Sequence, residues 1–63
     1  MPIMMIHMIE GRTQEQKENF IAALTDAAEA TLQAPRESVR VLLQEMPKEH
    51  FGIAGISAKK LGR

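Results

Sequence analysis

A chain of 63 residues with eight basic and eight acidic side chains, no cysteine and two aromatic rings can be only a few kinds of protein. At this length only about 60% of the unfolded surface is buried, so the core is marginal; without cysteine neither a disulfide nor a thiolate metal site can reinforce it, and oligomerisation is the common remedy that remains. Zero net charge argues against a nucleic-acid or anionic-membrane binder.

No apolar run approaches the ~20 residues of a membrane span. The first nine residues lack the positive n-region and cleavage site of a signal peptide. The expectation is one soluble, cytoplasmic domain over residues 1–63. Phe20 and Phe51 are too few for base stacking or an aromatic cage.

The chain opens Met-Pro and then runs almost unbroken in apolar residues to Ile9. Removing Met1 would give Pro2 a free secondary amine. An α-amino group titrates near neutral pH, and burial favours its neutral form, so Pro2 is a candidate proton carrier as well as a simple strand start. Residues 3–9 are expected to form a strand. Ile3, Met5, His7 and Ile9 fall on one face; Met4, Ile6 and Met8 fall on the other with Pro2. Both faces are apolar except at His7, so both should be covered. His7 is expected to be a core or interface histidine satisfied by one hydrogen bond.

Gly11 permits a turn, and Thr13 with Gln16 three residues on fits a capping box. The helix should run from about 14 to 33, burying Phe20, Ile21, Leu24, Ala27, Ala28 and Thr31. Glu15, Glu18, Thr25, Asp26, Glu29 and Gln33 form its solvated face. Pro35 stops it, with Ala34 biased toward extended backbone. A second strand is expected over 38–46, with Val39, Val41 and Leu43 on one face and Arg40, Leu42 and Gln44 on the other. Pro47 ends it. In the tail, about 50–63, Gly52 and Gly55 stand between apolar residues and suggest a short hairpin or an arm onto a neighbour.

Strand, helix and strand in about 45 residues make a βαβ unit of the α/β (α+β) class, with parallel strands and a right-handed crossover. Two strands and one helix cannot cover both sheet faces, so the second face must meet another subunit. Three residues suggest an acid-binding site. Arg40 interrupts an apolar strand, Arg12 follows a glycine at a strand-to-helix turn, and Phe51 lies among glycines. Guanidinium binds carboxylates bidentately and stays charged at any working pH, and a phenyl ring keeps water off an amine. Each also has a plainer reading, as a surface charge or a satellite core contact.

The set Pro2, Ile6-His7, Glu10-Gly11-Arg12, Gln16-Lys17, Ala34-Pro35, Ser38-Val39-Arg40-Val41, Glu45-Met46 and His50-Phe51-Gly52-Ile53 resembles the 4-oxalocrotonate (2-hydroxymuconate) tautomerase family over essentially the whole chain. The resemblance implies a homohexamer, a trimer of dimers, needing neither cofactor nor metal. It implies that Pro2 is the general base, moving a proton from the 2-hydroxyl of a dienol to C5. It places Arg12 and Arg40 on the carboxylates and 2-oxygen of an unsaturated dicarboxylate, Phe51 as the apolar wall, and Ser38 near the substrate. Ala54 stands where the family often has glycine, and the tail is less basic than in well-known members. Other enol or 2-oxo acids as substrates, and a non-catalytic oligomerising or ligand-binding module, stay open. Eight strand residues span roughly 25 Å, so Pro2 and Arg12 would share a site only across two chains.

Overall fold

A computed structural model describes all 63 residues. The chain runs β1 (Ile3–Ile9), α1 (Gln14–Leu32), a 3-10 turn (Arg36–Ser38), β2 (Arg40–Met46), a second 3-10 turn (Lys48–His50), β3 (Gly52–Ile53) and β4 (Ile56–Ser57). β1 and β2 pair in parallel, in a register that opposes Ile3 to Arg40 and Ile9 to Met46. β3 and β4 form a separate antiparallel hairpin. This is the expected βαβ unit with a C-terminal hairpin.

Capping fixes where the helix begins. The Gln16 amide donates to Thr13 Oγ1 at 3.1 Å, and the Thr13 amide donates to Gln16 Oε1 at 3.0 Å. Two of the orphan donors of the first turn are satisfied reciprocally. The helix ends at Leu32, with Gln33 left-handed at φ 55° as its cap. Arg36 folds back over the last turns, its Nη1 donating to Asp26 at 2.7 Å and Glu29 at 3.2 Å. The hydrogen bond to Asp26 raises the Arg36 pKa further from the working range. Stability from that shift is present below the unfolded-state value and is lost only above the folded one, so it is constant across neutral pH.

The second strand begins later than expected. Residues 36–38 close a 3-10 turn in which the Ser38 amide and Oγ both bond to the Pro35 carbonyl, at 2.9 and 2.8 Å. Ser38 is therefore a turn residue, and Val39 leads into the strand without belonging to it.

Strand alternation sorts side chains between the two sheet faces. Met4, Ile6 and Met8 of β1 and Val41, Leu43 and Glu45 of β2 turn toward α1. Glu45 is anchored there by Lys17, whose Nζ donates to it at 2.9 Å. From the helix come Lys17, Ile21, Leu24, Thr25 and Ala28. Thr25, expected on the solvated face, is half-buried because its Oγ1 bonds back to the Ile21 carbonyl at 2.8 Å. Such back-bonding lets a threonine face inward without an orphaned hydroxyl. Ala27 and Thr31, expected in the buried stripe, are exposed, and Phe20 keeps 39% of its surface.

The other sheet face is bare. Ile3 is 56% exposed, Met5 70% and Leu42 49%. His7 lies on this face opposite Gln44, exposed and without a side-chain hydrogen bond in the single chain, so it is not a core histidine, and the interface role expected of it stays a proposal. Only Ala28 and Ala58 are buried in the whole chain. The radius of gyration is 14.6 Å, against about 11 Å for a compact chain of this length. The accessible surface is 4846 Å², against about 4,000 Å² for a compact 7 kDa monomer. One helix on one side of two strands is a single layer pair, so half of the apolar pattern has nothing to pack on.

Candidate active site

β1 is the spacer of the site. At its start, the Arg40 amide donates to the Pro2 carbonyl at 3.0 Å, so the strand pairing itself holds Pro2 beside Arg40. Pro2 is half-buried on the helix side, while Arg40 projects from the bare face. The Arg40 guanidinium bonds only to the backbone carbonyls of Glu37 and Val39. Ser38 is two residues away in the turn. Pro2, Ser38 and Arg40 thus occupy one end of the sheet. With Met1 attached, the Pro2 nitrogen is an amide and has no basic lone pair.

At the far end, Gly11 at φ 132° redirects the chain out of β1, a conformation that costs an L-residue far more than glycine. Arg12 follows. It lines a cavity of about 540 Å³ together with Met8, Glu10, Lys48, Phe51 and Arg63. The Phe51 ring is held there because the Lys48–His50 turn ends on it and its carbonyl accepts from the Ala58 amide at 2.7 Å. Arg12 also borders a groove of about 380 Å³ against α1, with Ile6, Met8, Gln16, Lys17 and Phe20.

The chain therefore brings together two groups and separates them. Pro2, Ser38 and Arg40 stand at one end and Arg12 and Phe51 at the other, about 23 Å apart along seven residues of β1. The ion pairs of the chain are Lys17–Glu45, Arg36–Asp26, Arg36–Glu29 and Lys59–Glu49. Arg12 and Arg40 are in none of them, so no carboxylate of the chain neutralises either guanidinium. Nowhere do three His, Asp or Glu side chains converge as a metal site would need. Lys48 was not singled out from the sequence, and Arg63 only as part of the basic tail. Each is visible as a cation near Phe51, but their meeting with Arg12 depends on the tail folding back, where the Arg63 amide donates to the Ala58 carbonyl at 2.9 Å.

A family model described as tautomerase enzyme matches residues 2–61. The 2-hydroxymuconate tautomerase of Stutzerimonas stutzeri is 56% identical over the full length of both chains. A 4-oxalocrotonate tautomerase isozyme from Methylibium petroleiphilum superposes with a TM-score of 0.92 at 43% identity, covering 97% of this chain and 95% of that one. A heterohexameric 4-oxalocrotonate tautomerase from Chloroflexus aurantiacus gives 0.90 at 41% identity, covering 97% of this chain and 98% of the other. The chain belongs to the tautomerase family and is an isomerase.

Proposed function

We propose that this tautomerase converts 2-hydroxymuconate to 2-oxo-3-hexenedioate without a cofactor, in the cytoplasm, with the Pro2 amine as general base once Met1 is removed. The observation that carries the reading is the placing of two unpaired guanidiniums at opposite ends of β1, one beside Pro2 and one beside Phe51. A dicarboxylate needs two such groups, and one chain cannot bring them to a single ligand. A neighbouring chain whose β1 runs antiparallel would set Arg12 and Phe51 of one subunit against Pro2 and Arg40 of another. The bare sheet face and the surface excess support assembly on independent grounds. By analogy with the heterohexameric relative we take the assembly to be a hexamer, here of identical chains arranged as a trimer of dimers.

In that site Pro2 takes the proton from the 2-hydroxyl. The O–H electron pair becomes the C2–O π bond, the C2–C3 π pair shifts to C3–C4, and the C4–C5 pair takes a proton from the Pro2 ammonium at C5. No proton is gained or lost overall. Arg12 holds the distal carboxylate, where charge accumulates as the dienolate forms, and Arg40 and Ser38 hold the 1-carboxylate and the 2-oxygen. Two guanidinium charges and the Phe51 ring all favour the neutral amine, the form a base requires. Rates on a panel of dienols test the reading. 2-Hydroxymuconate should be turned over faster than dienols with one carboxylate; equal or reversed preference would displace it as the substrate class.

A further inference from the structure

The cavity beside Phe51 holds more positive charge than one carboxylate needs. Its lining includes the side chains of Arg12, Lys48 and Arg63 against one acidic side chain, Glu10, a net side-chain charge of two (three cations less one anion) before the α-carboxylate of Arg63 is counted, in a chain whose net charge is zero. None of these four side chains is in an ion pair of the chain. The backbone places three of them. The Glu10 amide donates to the Met46 carbonyl at 2.9 Å, and Lys48 opens the 3-10 turn that follows Pro47. Gly62 at φ 76° turns the tail so that Arg63 returns to the cavity wall, its amide on the Ala58 carbonyl. Like charges gathered without neutralising partners cost stability unless an anion visits them.

We propose that Lys48 and Arg63 are specificity-determining residues, forming with Arg12 an electropositive mouth that selects substrates carrying a second carboxylate and draws them in, while Glu10 limits its strength. This rests on the substrate class proposed above. The physical basis is additive. Lys48 and Arg63 line the same cavity as Arg12, so each contributes to an attraction for an anion bound there that salt weakens. A monocarboxylate whose apolar end enters this cavity feels little of it. The three groups differ in kind: Arg12 can chelate a carboxylate through its planar fork, whereas Lys48 acts as a point charge.

Binding of two unreactive six-carbon acids, adipate and hexanoate, measured by calorimetry on the assembled protein, separates this proposal from the catalytic one. The wild type should bind adipate at least about tenfold more tightly at low salt, and the preference should shrink at high salt. Lys48→Gln and Arg63→Gln should each cut the preference by roughly three- to tenfold, and Glu10→Gln should increase it. That reversal of sign is something a merely structural role would not produce. Equal affinity for both acids in the wild type would overturn the proposal, as would an unchanged preference in Lys48→Gln/Arg63→Gln. Failure to turn over 2-hydroxymuconate would overturn only the proposed reaction, since the binding comparison needs no turnover.

Discussion

Placing a charge on the bare sheet face should dissolve the assembly. Leu42 is 49% exposed on that face. Full burial of a leucine contributes about 1.5–3 kcal/mol, so covering the exposed half contributes roughly 1 kcal/mol per subunit. In Leu42→Lys that contribution is lost. The face offers Ile3, Met5, His7, Arg40 and Gln44, and no carboxylate, so an ammonium buried there finds no partner. Taking an unpaired charge out of water costs several kcal/mol. The sum is about 3–5 kcal/mol per subunit, or roughly 10²- to 10⁴-fold in each association step. In the separate chain the same lysine points into solvent and costs within about 0.5 kcal/mol. Sedimentation velocity over a micromolar dilution series reads the difference directly. Wild type should stay assembled, and Leu42→Lys should sediment as smaller species with tautomerase activity falling in parallel. A variant that remained assembled at the lowest concentration would mean that this face is not the interface.

Arg12→Ala and Arg40→Ala should each lower kcat/KM on the dicarboxylate by tens- to hundreds-fold, about 2–4 kcal/mol, with the helical circular dichroism unchanged; wild-type kcat/KM in either would return that arginine to the surface. A preparation that retains Met1, identified by intact mass, should be nearly inactive, because the new amine sits about 3.5 Å from where proton transfer needs it. In processed protein kcat/KM should rise with pH to a plateau as Pro2 loses its proton, and a flat profile would remove it as the base. Ala54→Gly should raise Tm by a few degrees at fixed protein concentration. Ala54 and Gly55 form the two-residue turn between β3 and β4 with φ 53° and 84°, and the left-handed penalty of about 1–2 kcal/mol for alanine exceeds the extra unfolded-state entropy of glycine. An unchanged or lower Tm would mean that the turn is not strained at Ala54.

How much of this was legible in the sequence differs from element to element. Thr13, Gln16 and Pro35 marked the helix ends because capping and proline act locally, and the structure places those ends within a residue of expectation. The period-2 pattern of both strands gave their faces correctly. Ser38 and Val39 were misplaced in the strand because their apolar alternation continues through a 3-10 turn that only the Pro35 carbonyl holds. Thr25 and Glu45 turn inward through a backbone bond and an ion pair 28 residues long, which composition does not reveal. Phe20 counted as core by spacing, yet it borders a groove that one chain leaves open. Pro2, Arg12, Arg40 and Phe51 could be picked out by residue type and position, each beside a plainer reading, whereas Ser38 entered only through resemblance to a known family. Their division between the two ends of β1 follows from strand length, which is readable, whereas the cationic convergence of Arg12, Lys48 and Arg63 depends on a tail whose path is not.

The central claim is that each active site takes Pro2 from one chain and Arg12 from another. Subunit complementation tests it most directly. Pro2→Ala and Arg12→Ala proteins, each weakly active alone, are unfolded together at equal concentration and refolded into mixed assemblies. If the residues come from different chains, about a quarter of the sites in a random mixture regain both native groups, and activity should recover to about that fraction of wild type. If both residues of a site came from one chain, no mixture could contain a complete site, and activity would stay at the average of the two variants.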